Sequence, residues 1–279
     1  MIEVACAPYG LTSGPDGALW FTSVEPAAVG RARIRDGGAD IDMFAPPVSG
    51  GQPTVITTGP DNALWFTEFR GHRIGRITTD GAITSFPADS PYGICTGPDG
   101  ALWFTALQAE RIGRLTVTGE VTTYPAEGMP SVITAGPDGA LWFTLNQGNA
   151  IGRITPSGAV ERFPLPTEAA MPVGITVGPD EALWFVEIGA GQIGRITADG
   201  QIREFPLPDR DARPHAIITG PDGALWFTEW AACRLGRITT DGVVTEHPLP
   251  GAEPHGLTVG PDGAMWVAME SGALVPVTG

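Results

Sequence analysis

A four-residue turn, Gly-Pro-Asp-Gly or a near variant, recurs seven times along this 279-residue chain, each time followed by Ala-Leu/Met-Trp. The turns begin at Gly14, Gly59, Gly97, Gly136, Gly178, Gly220 and Gly260. Trp20, Trp65, Trp103, Trp142, Trp184, Trp226 and Trp266 each follow six residues on. A unit of roughly 40 residues repeated seven times restricts the chain to folds that stack or circle one supersecondary unit. Proline at the second turn position presets φ, and Asp-Gly tolerates the tight geometry, so each turn predicts a hairpin. Apolar segments such as 132–134 precede it and Ala-Leu-Trp-Phe-Thr follows it.

In units two to six a third segment follows, as in Ile74-Gly75-Arg76-Ile77, then a turn of the Thr-Thr-Asp-Gly type and a fourth segment ending in Phe-Pro or Tyr-Pro. Four short antiparallel strands per unit describe a propeller blade. No 3.6-residue periodicity supports a helical repeat. The expected fold is therefore all-β: one domain over 1–279, a seven-bladed β-propeller with four antiparallel strands per blade. A β-sandwich is the weaker alternative. The last unit runs out before a fourth strand, so residues before Tyr9 are expected to supply that strand and close the ring, removing an exposed edge.

Composition narrows the function. Hydrophobic residues make up 42% of the chain, enough for a core, and no apolar run reaches the length of a membrane span. The start, Met-Ile-Glu-Val-Ala-Cys, lacks the features of a signal peptide, so a cytoplasmic protein with no membrane partner is expected. A net charge of −15 argues against a nucleic-acid partner. No lysine is present, which excludes Schiff-base chemistry. Cys6, Cys95 and Cys233 are odd in number and widely spaced, and read as reduced, packed thiols. Gly189 to Gly194 matches GxGxxG but enters a repeat strand instead of opening a helix, so it is no dinucleotide site. HExxH, P-loop and GxSxG patterns are absent.

The repeat also locates a candidate site. Both turn types fall on one face of the disc, leaving the start of strand one and the end of strand two on the other, where loops on a rigid frame carry function. The residue after the proline that opens strand one is Tyr9, Thr54, Tyr92, Ser131, Val173, His215 and His255 in turn. Histidine thus occurs there only in neighbouring blades six and seven. Glu253 precedes Pro254, where other units carry neutral residues or Arg213. Glu68, Glu187 and Glu229 stand three residues after a tryptophan, whereas Glu270 stands four after Trp266. With a strand period of two, that offset turns Glu270 to the opposite face unless a bulge intervenes.

These choices compete with structural explanations. The recurring Glu68, Glu187 and Glu229 read as carboxylates that satisfy loop amides. His247 replaces the Phe or Tyr of other blades, and His72 sits in a loop between Arg70 and Arg73; neither is given a role. His215, Glu253, His255 and Glu270 remain as the candidate set near the central channel. Tyr9 and Trp230 share their face and are candidates for packing against an apolar ligand, with packing between blades as the structural alternative.

The segments Arg213-Pro-His-Ala-Ile217, Trp226-Phe-Thr-Glu-Trp230, Glu253-Pro-His-Gly256 and Ala268-Met-Glu270, set in these repeats, resemble the virginiamycin B lyase (streptogramin B lyase) family over essentially the whole chain. The resemblance implies a metal-dependent lyase that opens type B streptogramins, small cyclic depsipeptides, at their ester bond by β-elimination. By the same resemblance His255 is the proton acceptor, Glu253 and Glu270 are Mg2+ ligands, and His215 is a substrate-binding residue. A monomer is the default. A binding or scaffold propeller, or a metal-dependent hydrolase of lactones or esters, stands as the alternative, since fold does not fix function.

Overall fold

The computed structural model describes residues 1–277. They form seven four-stranded antiparallel sheets, and no residue among them is helical. Each sheet runs from an innermost strand at the channel outward, as in blade two, Pro53–Thr58, Leu64–Glu68, Arg73–Ile77 and Ile83–Pro87. The second strand of every blade is buried along its length, save Val24 at the end of the one in blade one, because both faces of a blade pack on neighbours. Trp184 of blade five shares a core cluster with Leu225 and Phe227 of blade six. Trp266 of blade seven does the same with Leu19 and Phe21 of blade one, which closes the ring hydrophobically.

The recurring motifs have local physical causes. Each tryptophan Nε1–H donates to the turn aspartate four residues before it, over 2.9 to 3.1 Å. In blades two to six the same carboxylate takes the third-strand arginine at 2.6 or 2.7 Å. Burial works to raise Asp99, but the Trp103 and Arg114 donors outweigh it and hold its carboxyl below the usual range. The third-strand glycine is required because a Cβ at Gly75 would lie 2.1 Å from the Phe66 ring.

Closure follows the expected route. Ile2–Glu3 pairs with Ala273–Val277 as the outermost strand of blade seven, and Val4 N–H donates to Gly272 O at 3.0 Å. The irregular tail is that blade's third strand, and its sequence differs for a packing reason. Val267 faces Val275 where Phe227 faces Gly236 in blade six, so a smaller residue opposite removes the need for glycine. Pro276 stands opposite Trp266, in the place of the arginine. Blade one, which lacks a regular third-strand motif, builds the longest hairpin instead, Ala27–Arg35 with Gly38–Phe44.

Candidate active site

On the face opposite the turns, each innermost strand begins with its proline, and the residue after that proline lies at a bulge in the pairing with strand two. The bulge presents this residue at the channel mouth. In five blades the threonine two residues after the tryptophan donates to that residue's carbonyl in the next blade: Thr22 to Thr54, Thr67 to Tyr92, Thr105 to Ser131, Thr144 to Val173 and Thr228 to His255. Blades five and seven carry Val186 and Ala268 at that position, so the carbonyls of His215 and Tyr9 have no such hydroxyl.

The candidate residues gather around His255, which is 7% exposed. Tyr9 stacks on its ring with centroids 4.3 Å apart and planes at 28°. His215 meets it edge-on at 5.0 Å, and Trp230 lies at 6.5 Å. Tyr9 is also edge-on to His215 at 6.0 Å, and its hydroxyl lies 2.8 Å from that of Tyr92. A cavity of about 190 Å³ runs beneath, lined by Tyr9, Tyr92, His215, Ile217, Gly256 and Leu257 among others. Gly256 belongs there because a Cβ would sit 2.6 Å from the Tyr9 carbonyl.

Four buried nitrogens at this site have no hydrogen-bond partner among the described residues: His215 Nδ1, Trp230 Nε1 and both ring nitrogens of His255. Buried polar groups are ordinarily paired, so this concentration singles the cluster out as a candidate ligand site. His255 Nε2 does approach Glu270 Oε2 to 2.6 Å, but the approach does not meet hydrogen-bond geometry. Proximity to a carboxylate favours an imidazolium, while burial opposes it. Without an aligned hydrogen bond burial prevails, and it pulls His255 down to about 4. Burial, with a smaller contribution from His255, lowers His215 to about 3. Both imidazoles are thus neutral at pH 7, and burial raises Glu270.

The offset of Glu270 resolves in the register. Pro53, Pro172 and Pro214 oppose Glu68, Glu187 and Glu229, whereas Pro254 opposes Met269. Met269 takes the buried slot, and Glu270 is the first residue past the strand, at the rim position that Trp230 occupies in blade six. Its N–H donates to the carbonyl of Glu253 at 3.0 Å, which brings both glutamates to one rim segment. Glu253 is exposed, with φ of 58°. Neither carboxylate is paired with an arginine.

Two carboxylates free of cationic partners fit a hard divalent ion that keeps most of its waters. Among the described residues no group of three or more His, Cys, Asp and Glu is placed to hold a metal. A site here would therefore have two protein ligands.

The recurring glutamates correct one expectation. They satisfy cross-strand side chains, not loop amides: Glu68 takes Arg73 at 2.7 and 2.8 Å, and Glu229 takes Arg234 at 2.7 Å. In blade five the opposing residue is Gln192, 2.6 Å from Glu187, and burial pushes Glu187 up to about 8. His247 lies against Trp226 at 5.2 Å, as Phe86 does against Trp65, and exposed His72 meets Asp89 at 3.1 Å. The three cysteines are free, and burial pushes Cys95 up to about 12. Tyr92 was not singled out by the sequence; its place after Pro91, in register with Tyr9, was the available signal.

The fold and site define a seven-bladed propeller with paired neutral histidines and two free carboxylates at the mouth of its channel. The chain belongs to the virginiamycin B lyase family, whose model matches residues 1–277. It is similar to a virginiamycin B lyase from Staphylococcus aureus, with 42% identity, a TM-score of 0.93 and coverage of 98% of this chain and 96% of that one. A catalytically inactive histidine-to-alanine variant of the Staphylococcus aureus lyase, solved with quinupristin, matches at 42% identity and a TM-score of 0.92, over 98% and 96% of the two chains. The virginiamycin B lyase of Nocardia farcinica is 53% identical over 93 residues. That stretch spans 33% of this chain and 32% of the relative.

Proposed function

We propose that this protein is a lyase that linearises type B streptogramins by β-elimination at the ester bond, with His255 as the base. The observation that carries this reading is the cluster of unpartnered nitrogens around His255 at the channel mouth. A neutral imidazole at pH 7 is a competent proton acceptor, and burial keeps His255 in that form. It takes the α-proton of the esterified threonyl unit. The electron pair forms the Cα=Cβ bond and the Cβ–O bond breaks. The leaving group is a carboxylate, stable as an anion, so no strong general acid is needed. That one histidine replacement inactivates a relative fits a histidine base.

His215 and Trp230 each offer a buried nitrogen to a polar group of the depsipeptide, and Tyr9 offers an aromatic face. Glu253 and Glu270 would hold Mg2+. When bound, the ion supplies positive charge that stabilises the negative charge developing on a substrate carbonyl. All of these residues come from one ring, so a monomer suffices.

Product mass tests the reading. The protein is incubated with a type B streptogramin, with and without Mg2+. Ring opening without mass change is expected, and activity should fall on chelation. A product heavier by one water would identify a hydrolase, and an intact ring a binding propeller; either result overturns the proposal.

A further inference from the structure

We infer that Tyr92 of blade three is a positioning residue for His255, acting across the channel through Tyr9. This rests on the reading of His255 as the base. The innermost strands of the ring are tied to one another by the threonine-to-carbonyl bonds described above. His255 is held in this way by Thr228, and Tyr92 by Thr67 at 2.7 Å. Tyr9 is not, because Ala268 stands where the donor would be. The ring that stacks on His255 therefore sits at a strand start without the usual anchor, since the strand's bond to blade seven, from Ser13 Oγ to Val259 O at 2.6 Å, lies at its far end.

Tyr92 supplies one from 83 residues away in sequence, through the 2.8 Å contact between the two hydroxyls. Its own position is fixed. Phe69 packs edge-on against it at 6.3 Å, and a Cβ at the adjoining Gly93 would lie 2.6 Å from Ser131 O, so blades three and four are in close contact there. Burial raises both phenols, which keeps the bridge a neutral hydrogen bond. The chain of contacts runs from Tyr92 to Tyr9 by hydrogen bond, and from Tyr9 to His255 by stacking at 4.3 Å. A base that must meet a proton at hydrogen-bond distance is sensitive to small displacements of whatever holds its ring. Tyr92 touches neither His255 nor Glu270 in any of these contacts, so its effect is indirect.

Tyr92→Phe removes one oxygen and leaves the ring's packing intact. The imidazole C–H resonances of His255, assigned by comparison with His255→Ala, report the Tyr9 stack through its ring current. In Tyr92→Phe they should move towards the position of an unstacked imidazole, and kcat on a type B streptogramin should fall roughly tenfold with KM little changed. Tyr9→Phe breaks the same bridge from the other side. In that background Tyr92→Phe should add less than about a twofold loss. Unmoved His255 resonances in Tyr92→Phe overturn the proposal, as does unchanged kcat, or a full further loss in the Tyr9→Phe background. If Tyr92→Phe fails to fold, Tyr9→Phe carries the same spectral test. Because the resonances are read without substrate, failure of the anchor is distinguishable from failure of the lyase reading.

Discussion

His255 Nε2 and Glu270 Oε2 lie 2.6 Å apart but out of hydrogen-bond alignment, and neither imidazole nitrogen has an aligned partner among the described residues. On the proposed reading, the imidazole is available to a substrate proton, and a carboxylate stands beside it to stabilise the imidazolium that forms. His255→Ala should lower kcat by at least about 100-fold. Because the carbonyl, not the ring, of His255 takes the Thr228 bond, the blade should survive, with unchanged circular dichroism. A variant that keeps full turnover would remove His255 from the mechanism.

The bond between turn aspartate and tryptophan should be worth more where an arginine shares the carboxylate. Asp99→Ala strands the Trp103 Nε1–H and the Arg114 guanidinium together, and should cost about 1–3 kcal/mol in urea unfolding. Asp262→Ala strands Trp266 and the Ala264 N–H but no guanidinium, since Pro276 occupies the arginine position, and should cost less. Equal losses would show that the arginine contributes nothing.

The sequence carried most of the fold because the repeat is written in local terms: a turn, a tryptophan, a glycine opposite a phenylalanine. Where one partner changes, the motif dissolves while the strand persists, as Val267 and Val275 show in the last blade. The candidate histidines were legible for a related reason, since the other blades reveal what the scaffold needs at the position after the proline. Glu270 was readable as a residue but not as a geometry. Its register depends on Met269 filling the slot held elsewhere by glutamate, and that exchange shows only in the pairing with Pro254. The bridge between Tyr9 and Tyr92 was illegible, because it joins blades one and three, and nothing in a linear repeat states which positions meet across a channel.

Glu187 should make stability fall as pH rises. Burial is the main cause of its elevation to about 8 from an ordinary 4.5, and the Gln192 amide offsets this only in part. Between those values the folded chain keeps a proton that the unfolded chain releases, so the stabilising contribution is complete below about pH 4.5 and lost through pH 8. Glu187→Gln keeps an acceptor for Gln192 and removes the titration. Its Tm should vary less than the parent's over this range, and above pH 8 it should be the more stable protein. Parallel Tm profiles for the two proteins would refute the assignment.

Ring closure rests on a two-residue strand, so its loss should be felt far beyond its length. Removing residues 1–4 takes away the Ile2–Leu274 pairing, the Val4 hydrogen bond to Gly272 and the burial of Val4, which is only 9% exposed. The lost apolar burial alone should cost about 1.5–3 kcal/mol. The freed edge of Ala273–Val277 then presents unpaired N–H and C=O groups, a template for pairing with a second molecule. The truncated protein should melt several degrees lower and show concentration-dependent association by light scattering. Tyr9 lies only a few residues beyond this segment, so activity should fall as well. A truncated chain that shows no added association and an unchanged Tm would mean that the Trp266, Leu19 and Phe21 cluster closes the ring unaided.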